Sequence, residues 1–302
     1  RVLIYIEGVF ELLTHPHAQI VGYGQWTDVV SVSSVGESLY NFYGFVCDGV
    51  YKDLEDLQTS PKPAKYPANG VFDRTNTVWV GDVKYKDISG PDGVPDGVID
   101  DYDKTNIGSP MPKFTFGWTN TFRYKNFDLS VFINGSYGNK VYNYLSMKLT
   151  HMNSPWTNQL NAVNGRAQLV PINPNKVYED GTMWYNDVSN VMVANPGASI
   201  PRATINDPND NDRISDRYIE DGSYIRLKNI SLGYTFPKKT IDKLGLSNLR
   251  IYANIQNLLT ITGYDGYDPE IGASTSSVNV YGLDNGRYPS PTVYSFGLNV
   301  SF

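Results

Sequence analysis

The clearest pattern of hydrophobic and polar residues lies at the C-terminal end of the chain, where the two kinds alternate without exception from Tyr294 to Phe302. A period of two predicts a β-strand with one apolar and one polar face. A soluble sheet that covers a core shows the same alternation. A strand of about ten residues, apolar outside and polar inside, is also the unit of an outer-membrane β-barrel, so this strand alone fits either kind of protein. Its apolar face would carry Tyr294, Phe296, Leu298, Val300 and Phe302, and its polar face Ser295, Gly297, Asn299 and Ser301.

Two further pairs of segments alternate in the same way, and each pair predicts two neighbouring strands. The first pair is joined by a tight turn at Lys125 and Asn126, and only Asn120 and Phe132 break its alternation. Weaker patterns predict strands at 2–6, 18–33 and 39–46 and one short helix near 141–149. The apolar positions of the two pairs are Phe114, Phe116, Trp118, Phe122, Tyr124, Leu129, Val131, Ile133 and Tyr137, and then Ile230, Leu232, Tyr234, Phe236, Leu249, Ile251, Ala253 and Ile255.

The connections between the predicted strands alternate between short and long. Outer-membrane barrels have short turns on the periplasmic side and long loops on the external side, whereas a soluble sandwich has no reason to keep its long loops at one end. The alternation therefore favours a membrane barrel whose C-terminal strand ends in the periplasm. The loops predicted to face outside are 48–112, 139–222 and 260–291, and the short turns are 34–36, 125–126 and 237–248.

Composition and charge narrow the classes of function. The chain of 302 residues contains 23 Tyr, 12 Phe and 5 Trp, and the amphipathic rings of Tyr and Trp suit a membrane interface. No apolar run approaches the ~20 residues that a membrane-spanning helix needs, so a membrane role would require strands. A net charge of −6 argues against a nucleic-acid partner. The single cysteine, Cys47, excludes an internal disulfide and a CxxC zinc site.

A candidate metal site lies in the first long loop, in an acidic stretch whose aspartates have nearly the spacing of a twelve-residue calcium loop. Hard cations bind several carboxylate oxygens, and Gly97 would permit the sharp turn that gathers them. Because Val94 offers no ligand at the third position, the register predicts a weak, structural Ca²⁺ site; the alternative is a series of exposed Asp-Gly turns. His15 and His17 have no third ligand nearby, which argues against a metal there. The candidate Ca²⁺ ligands are Asp92, Asp96, Asp100 and Asp103.

Several longer motifs occur in a fixed order along residues 36–302. They are GESLYNFYGFV at 36–46, GDVKYKD at 81–87, IGSPMPKFTFG at 107–117, FDLSVFINGSYG at 127–138, EDGSYIRLKNISLGYTFP at 220–237, NLRIYANIQNLL at 248–259, DGYDPE at 265–270 and YSFGLNVSF at 294–302. This series resembles the C-terminal part of a SusC/RagA-type TonB-dependent outer-membrane transporter. Residues 1–18 do not match, and no fold is assigned to them.

The resemblance implies an all-β fold, the C-terminal portion of a 22-stranded transmembrane β-barrel with long extracellular loops, of which this chain would supply about seven or eight antiparallel strands. Residues 1–302 would then all belong to the barrel, without the plug domain and the N-terminal strands. Such a piece has two unpaired sheet edges and is not expected to close by itself. The resemblance also implies the outer membrane of a Gram-negative bacterium, where the chain would contact lipid.

The resemblance implies import of an oligomeric nutrient, glycan or peptide, as in polysaccharide utilisation, with TonB and a SusD-like surface lipoprotein as partners and no catalytic residues. A non-transporting surface barrel or adhesin is one alternative, and a soluble β-rich glycan-active enzyme is a less favoured one. In a transporter the polar strand residues would line the lumen, and they include Arg123, Asn134, Arg250, Asn254 and Gln256. Loop aromatics able to stack on a sugar, but more often packed under their own loops, are Trp156, Trp184, Tyr185, Tyr264 and Tyr267.

Overall fold

The structure is a computed structural model that describes residues 19–23, 29–271 and 280–302. The strand predicted at 2–6 and the residues His15 and His17 lie outside the described residues. The strands are β1 Gln19–Tyr23, β2 Val29–Ser34, β3 Asn41–Gly44, β4 Cys47–Val50, β5 Lys62–Pro63, β6 Val83–Tyr85, β7 Val98–Ile99, β8 Thr105–Gly108, β9 Phe114–Tyr124, β10 Phe127–Tyr137, β11 Lys140–Asn143, β12 Leu169–Pro171, β13 Val191–Val193, β14 Ile219–Asp221, β15 Tyr224–Thr235, β16 Asn248–Thr262, β17 Leu283–Asp284 and β18 Val293–Ser301. The α-helices within the described ranges are α1 Leu54–Thr59, α2 Tyr144–Thr150 and α3 Lys238–Ile241.

The chain divides into two compact units. We name the first the sheet unit, which comprises Pro110–Val141, Glu220–Gly272 and Gly286–Phe302. The second, the loop unit, comprises the described parts of Arg1–Ser109, Tyr142–Ile219 and Ala273–Asn285. The longest of the described helices, α2, has seven residues, and none of the helices in the described ranges could cross a membrane.

The sheet unit is built on one antiparallel sheet of five long strands in the order β18-β16-β15-β10-β9. The predicted turn joins β9 to β10, which begin their pairing at Tyr124 and Phe127. Lys125 in this turn has a φ of +52°, the left-handed conformation that tight hairpin turns require. The connection of β15 to β16 lies at the same end of the sheet. At the other end β10 and β16 end, and β15 and β18 begin. The alternation of short and long connections is therefore present in these five strands.

The expectation of about seven or eight strands in one wall is not confirmed. β1, β2 and β3 belong to a separate four-stranded sheet of the loop unit, where β1 pairs with β2 in antiparallel fashion. The single strand predicted over 18–33 is therefore wrong, because this segment contributes to two strands. Within the described residues the five-stranded sheet does not close on itself, and β9 and β18 are its edges. The 22-stranded barrel is not confirmed either.

The long polar regions are mostly irregular in structure, as predicted, but the loop unit folds them around buried clusters that the sequence pattern does not indicate. Short strands, short helices and three clusters of buried side chains are formed by residues of these regions and of the segments next to them. Trp79 is fully buried between Val78 and Val80, although the sequence around them is polar. The short helix predicted near 141–149 is confirmed as α2, which packs on the second cluster through Tyr144 and Met147. The clusters are Val50, Tyr51, Leu57, Val78, Trp79, Val80, Ala167, Val191, Val193 and Ala198; Val30, Phe42, Tyr142, Tyr144, Met147, Tyr218, Val280 and Leu283; and Phe45, Val83, Tyr85 and Ile99.

Candidate functional site

The first functional feature is the apolar face of the five-stranded sheet. The strand register aligns the alternating apolar residues of all five strands into rows across the sheet, and one row is Phe296, Ala253, Leu232, Leu129 and Phe122. None of the described residues forms a core over this face, since the exposed fraction is 84% for Phe296 and 60% for Leu298. An exposed apolar surface of this extent marks a site that another apolar phase or partner covers.

Aromatic side chains gather at both ends of this face. At the end with the short connections, the ring of Tyr234 lies 4.7 Å from that of Phe127 and 5.0 Å from that of Phe236, measured between centroids. At the other end, Phe114 lies 5.4 Å from Tyr137 and 6.4 Å from Phe116. On the three central strands aliphatic residues occupy the rows between, including Ile255, Ile230 and Val131. Aromatic girdles on either side of an aliphatic band are typical of a β-sheet that crosses a bilayer.

The opposite face of the sheet is polar and charged. Arg250 on β16 forms an ion pair with Asp128 on β10, in which its Nη2 lies 2.6 Å from Asp128 Oδ2. The two strands are separated by β15, and Gly233 of that strand allows the side chains to meet: a Cβ there would lie 2.3 Å from Arg250 Nη2. Of the residues predicted to line a lumen, Arg123 pairs in register with Asp128, and Asn254 with Ser231 and Ser295.

Large rings on the polar face lie over glycines of neighbouring strands. A Cβ on Gly297 would lie 2.1 Å from the Tyr252 ring, and one on Gly117 would lie 3.3 Å from the Phe132 ring. Phe132 is opposite Thr119 in the register, so it points to the polar side and breaks the alternation there. The exception in the sequence pattern thus has a physical reason, because Gly117 leaves the space that the ring covers.

Arg226 is a buried cation on the polar side that the sequence pattern did not single out. Its guanidinium donates to Asp268 Oδ1 at 2.5 Å and to Glu270 Oε2 at 2.8 Å, and Nε donates to Thr260 at 2.9 Å. Burial opposes the charged form of Asp268, but hydrogen bonds from the backbone N–H of Ser290 and Glu270 and from Arg226 outweigh it and lower its pKa to about 2. These bonds hold the segment DGYDPE against β15. The sequence pattern does not predict this contact, because the arginine in the strand and the two acids in the loop are some 40 residues apart.

The four candidate calcium ligands lie in one loop but their carboxylates serve mainly as hydrogen-bond acceptors. Buried Asp103 accepts from the backbone N–H groups of Ile88, Ser89 and Asp100. Asp100 accepts from Tyr102, and Asp96 from Val98. Asp92 is exposed. Within the described part of the chain, this loop does not bring three carboxylate oxygens within 4.8 Å of one another.

Asp87 also belongs to this loop, although the calcium register did not include it. Its Oδ2 accepts from the backbone N–H of Gly97 at 2.6 Å, while its Oδ1 is buried without a hydrogen-bond partner. A buried carboxylate oxygen without a donor is costly. A bound cation or a water molecule that donates a hydrogen bond would remove this cost for Asp87 Oδ1.

The loop aromatics divide into two groups. Tyr264 is buried, and Trp184 packs on the first cluster of the loop unit and edge-on against Tyr185. Trp156 and Tyr267 are exposed. The two exposed rings are the ones of this set that remain accessible to a partner or cargo.

A cavity of about 810 Å³ opens in the loop unit. Phe45, Ile99 and Met147 supply apolar surface to it. Its charged side chains of both signs are Asp100, Asp101, Lys104, Lys148, Asp210, Asp212 and Arg213. The volume is within the range of small-molecule sites, and the balance of charge selects neither cations nor anions.

Comparison with known proteins adds close relatives in sequence. No protein-family model matches the chain. TonB-dependent receptor P3 of Formosa agariphila is 32% identical over 272 residues, covering 88% of this chain and 22% of the receptor. TonB-dependent receptor P26 of the same organism is 32% identical over 276 residues, covering 89% of this chain and 23% of the receptor. TonB-dependent receptor SusC of Bacteroides thetaiotaomicron is 29% identical over 209 residues, covering 68% of this chain and 17% of SusC.

Solved structures show the same fold. The RagAB peptide transporter matches with a TM-score of 0.55 and 19% identity over 94% of this chain and 25% of the matched chain. The RagAB peptide importer in its open-open state matches with the same TM-score and 17% identity, over 94% of this chain and 24% of that chain. The chain spans about a quarter or less of the length of these relatives. The ordered motifs, the two-faced sheet and the relatives agree, and the chain belongs to the SusC/RagA-type TonB-dependent receptors.

Proposed function

We propose that this chain is the C-terminal part of the barrel wall of a TonB-dependent transporter in the outer membrane of a Gram-negative bacterium. The whole protein would import an oligomeric nutrient, glycan or peptide, with TonB supplying energy and a SusD-like lipoprotein on the external side. The relatives are named as receptors, and RagAB as a peptide importer, which supports transport over catalysis. Their names leave both cargo classes open for this chain.

The two-faced sheet is the observation that carries this proposal. One face is apolar, exposed and bordered by aromatic girdles, and the other carries the Arg250–Asp128 ion pair and a series of polar side chains. A soluble sheet with one buried face would cover the apolar side with a second layer. A barrel wall instead exposes its apolar side to lipid and its polar side to the lumen.

Cysteine labelling of the last strand tests this assignment. We expect Phe296, Leu298 and Val300 to face lipid and Ser295, Gly297 and Asn299 to face the lumen. Gly297 is unsuitable for substitution, since Tyr252 occupies the place of its Cβ. In the whole receptor with Cys47→Ser, Ser295→Cys should therefore react much faster with a charged, water-soluble maleimide than Phe296→Cys, in intact outer membranes. A lipid-soluble maleimide should label Phe296→Cys. Equal access of the charged reagent to both positions would contradict the assignment.

Dependence on TonB distinguishes a transporter from the alternative, a non-transporting surface barrel. A strain that carries the whole receptor should lose accumulation of the cargo when TonB is deleted, while surface binding of the same cargo persists. Radiolabelled oligosaccharides and oligopeptides, tested side by side, would also separate the two cargo classes. Accumulation that is unchanged without TonB would reject the transport proposal, and binding without any accumulation would support the adhesin.

We also propose, from the aspartate register, that the acidic loop binds one Ca²⁺ that stiffens it. Asp92, Asp96, Asp100 and Asp103 remain the proposed ligands, and the partnerless Oδ1 of Asp87 supports an additional one. Binding would have to replace several of the backbone hydrogen bonds described above, so we expect weak affinity, about 10⁻⁴–10⁻³ M.

Calorimetric titration of the whole receptor with Ca²⁺ should give a binding heat that the Asp96→Ala, Asp100→Ala double variant lacks. Asp101→Ala, which removes a neighbouring exposed acid, is the matched control and should keep the heat. Identical heats from the wild type and the double variant would leave only the exposed-turn interpretation.

A further inference from the structure

His151, the C-cap residue directly after α2, lies between two carboxylates in the loop unit. Its Nε2 is 2.7 Å from Asp207 Oδ2, and its Nδ1 is 3.1 Å from Asp212 Oδ2. The side chains of His151 and Asp207 are 10% and 7% exposed, and that of Asp212 is 28% exposed. Both ring nitrogens therefore face a carboxylate oxygen, in surroundings that water reaches poorly.

This geometry fixes the protonation state of the ring. A neutral imidazole has one N–H, so one of the two contacts would bring a nitrogen lone pair against a carboxylate oxygen. The imidazolium donates from both nitrogens and satisfies both acids. Its position at the C-terminal end of α2 adds a favourable interaction with the last carbonyl groups of the helix. The arrangement is complete only when His151 carries a positive charge.

A buried polar network extends from Asp207. Asn211 donates its backbone N–H to Asp207 Oδ2 at 2.9 Å, and its Nδ2 donates to Asp207 Oδ1 at 2.5 Å and to Asp82 Oδ1 at 3.2 Å. Asp82 in turn forms the buried ion pair with Arg202. On the other side of the ring, Lys148 Nζ lies 3.9 Å from Asp212 Oδ2. With His151 charged, the three cations of this network balance its three aspartates.

We propose that the His151 imidazolium is a pH-sensitive latch that holds the segment 207–213 in place and releases it when His151 loses its proton. The segment forms no helix or strand, and besides His151 it is held by buried Asn209 and Asn211, which bind Val83 and Asp82. Asp207 and Asp210 have φ values of +36° and +50°, a conformation that is strained for residues with a Cβ. The segment also supplies Asp210, Asp212 and Arg213 to the cavity of the loop unit, so its release changes the wall of that cavity.

The pH range of the latch follows from its partners. Burial disfavours the charged ring, but the hydrogen bonds to Asp207 and Asp212 outweigh it and raise the pKa of His151 from its ordinary value of 6.5 to about 9. Because the pKa in the closed state is the higher one, the stabilisation is fully present below pH 6.5. It is lost as the pH rises from there through about 9.

Two buried tyrosines and two aspartates around the cluster also have shifted pKa values. Burial raises the pKa of Tyr142 and of Tyr218 above the ordinary tyrosine value of 10.0, so both stay neutral. Burial also raises the pKa of Asp82 and of Asp210, although Arg202 and Arg213 oppose this effect. The charged groups of the surroundings are Asp82, Lys148, Arg202, Asp207, Asp210, Asp212, Arg213 and Arg217.

Hydrogen exchange of the whole receptor, read by mass spectrometry on peptides that cover 207–213, tests the latch. Protection factors, corrected for the intrinsic pH dependence of exchange, should be constant below pH 6.5. They should fall about tenfold per pH unit up to about pH 9, then level off, with a total loss of up to about three-hundredfold. Peptides from Phe127–Tyr137 in the sheet unit serve as the internal reference and should show no such slope.

Two variants and a metal control complete the test. His151→Gln should give low protection that does not depend on pH, and Asp212→Asn should move the upper limit of the range to lower pH. A wild-type profile without a slope, or the same slope in His151→Gln, would overturn the proposal. So would a stoichiometric metal ion whose removal by EDTA abolishes protection at pH 7, since the cluster would then hold a metal in place of the proton. The wild-type profile decides the question even if a variant does not fold.

Discussion

Replacing Asp82 by alanine should destabilise the loop unit by about 3–5 kcal/mol, the cost of leaving a buried charge without its partner. Arg202 Nε donates to Asp82 Oδ1 at 2.7 Å, and the two side chains are 2% and 0% exposed. The same carboxylate accepts from the backbone N–H of Trp79 at 2.9 Å. The variant thus removes the counter-ion of Arg202. It also removes the carboxylate that accepts the backbone N–H of Trp79, a residue of the first cluster.

Hydrogen exchange at Val78, Trp79 and Val80 in the whole receptor measures this loss, since the segment should open far more often in Asp82→Ala. Asp101→Ala is the control, because it removes an exposed ion pair with Lys104 and should change little. A second variant, Asp82→Leu with Arg202→Met, replaces the pair by apolar groups and should recover much of the protection. Equal protection in Asp82→Ala and the wild type would show that the pair does not stabilise the unit.

The strands of the sheet unit could be predicted from the sequence because their signal is local. Each strand of the β9–β10 hairpin alternates in period two, and the turn at Lys125 and Asn126 separates them, so pairing and facing follow from neighbouring residues alone. The same holds for β15, β16 and β18. The ends of the strands could be predicted less accurately. The alternation of β16 is regular only as far as Ile255, but the strand continues to Thr262.

Apart from α2, the packing of the loop unit could not be predicted, because its contacts join distant parts of the chain. Val78, Trp79 and Val80 form no alternating pattern, and they are buried against Val191 and Ala167 from the second long region. Asp82 and Arg202 are 120 residues apart, and His151 and Asp207 are 56 residues apart. In the sequence these residues stand in polar segments rich in Gly, Asn, Asp and Pro, which predict turns. Only the fold brings them together and buries them.

Some features of the candidate site could be predicted from the sequence only in part. The lumen-facing assignment of Arg250 followed from alternation, but its pairing with Asp128 across β15 required the register. Phe132 breaks the alternation of its strand, and only the structure explains why: its ring lies on the polar face, over Gly117. The acidic loop shows a different limit. The aspartate spacing predicts the calcium register, which stays a prediction, but it does not predict that Asp103 accepts from the backbone N–H groups of Ile88 and Asp100.

The apolar face has a middle row in which a charge should be least tolerated. Ile230 on β15 pairs with Val131 and Ile255, between the girdle at Tyr234 and the girdle at Phe114 and Tyr137. Its neighbour Ser231 points to the other face and pairs with Ser130 and Asn254. The two adjacent positions therefore offer a matched comparison of the lipid and the lumen sides of the proposed barrel.

Ile230→Arg should reduce the amount of folded receptor in the outer membrane severely, because an arginine at the midplane of the lipid face costs about 2–4 kcal/mol. Ser231→Arg places the same side chain on the polar face and should leave assembly close to wild type. Ile230→Ala separates lost packing from the charge, and its effect should be the smaller one. Heat-modifiable migration of the whole receptor in gels, together with its yield in outer-membrane fractions, measures assembly. If Ser231→Arg lowered assembly as much as Ile230→Arg, the apolar face would not be the face that meets lipid, and the barrel-wall assignment would fail.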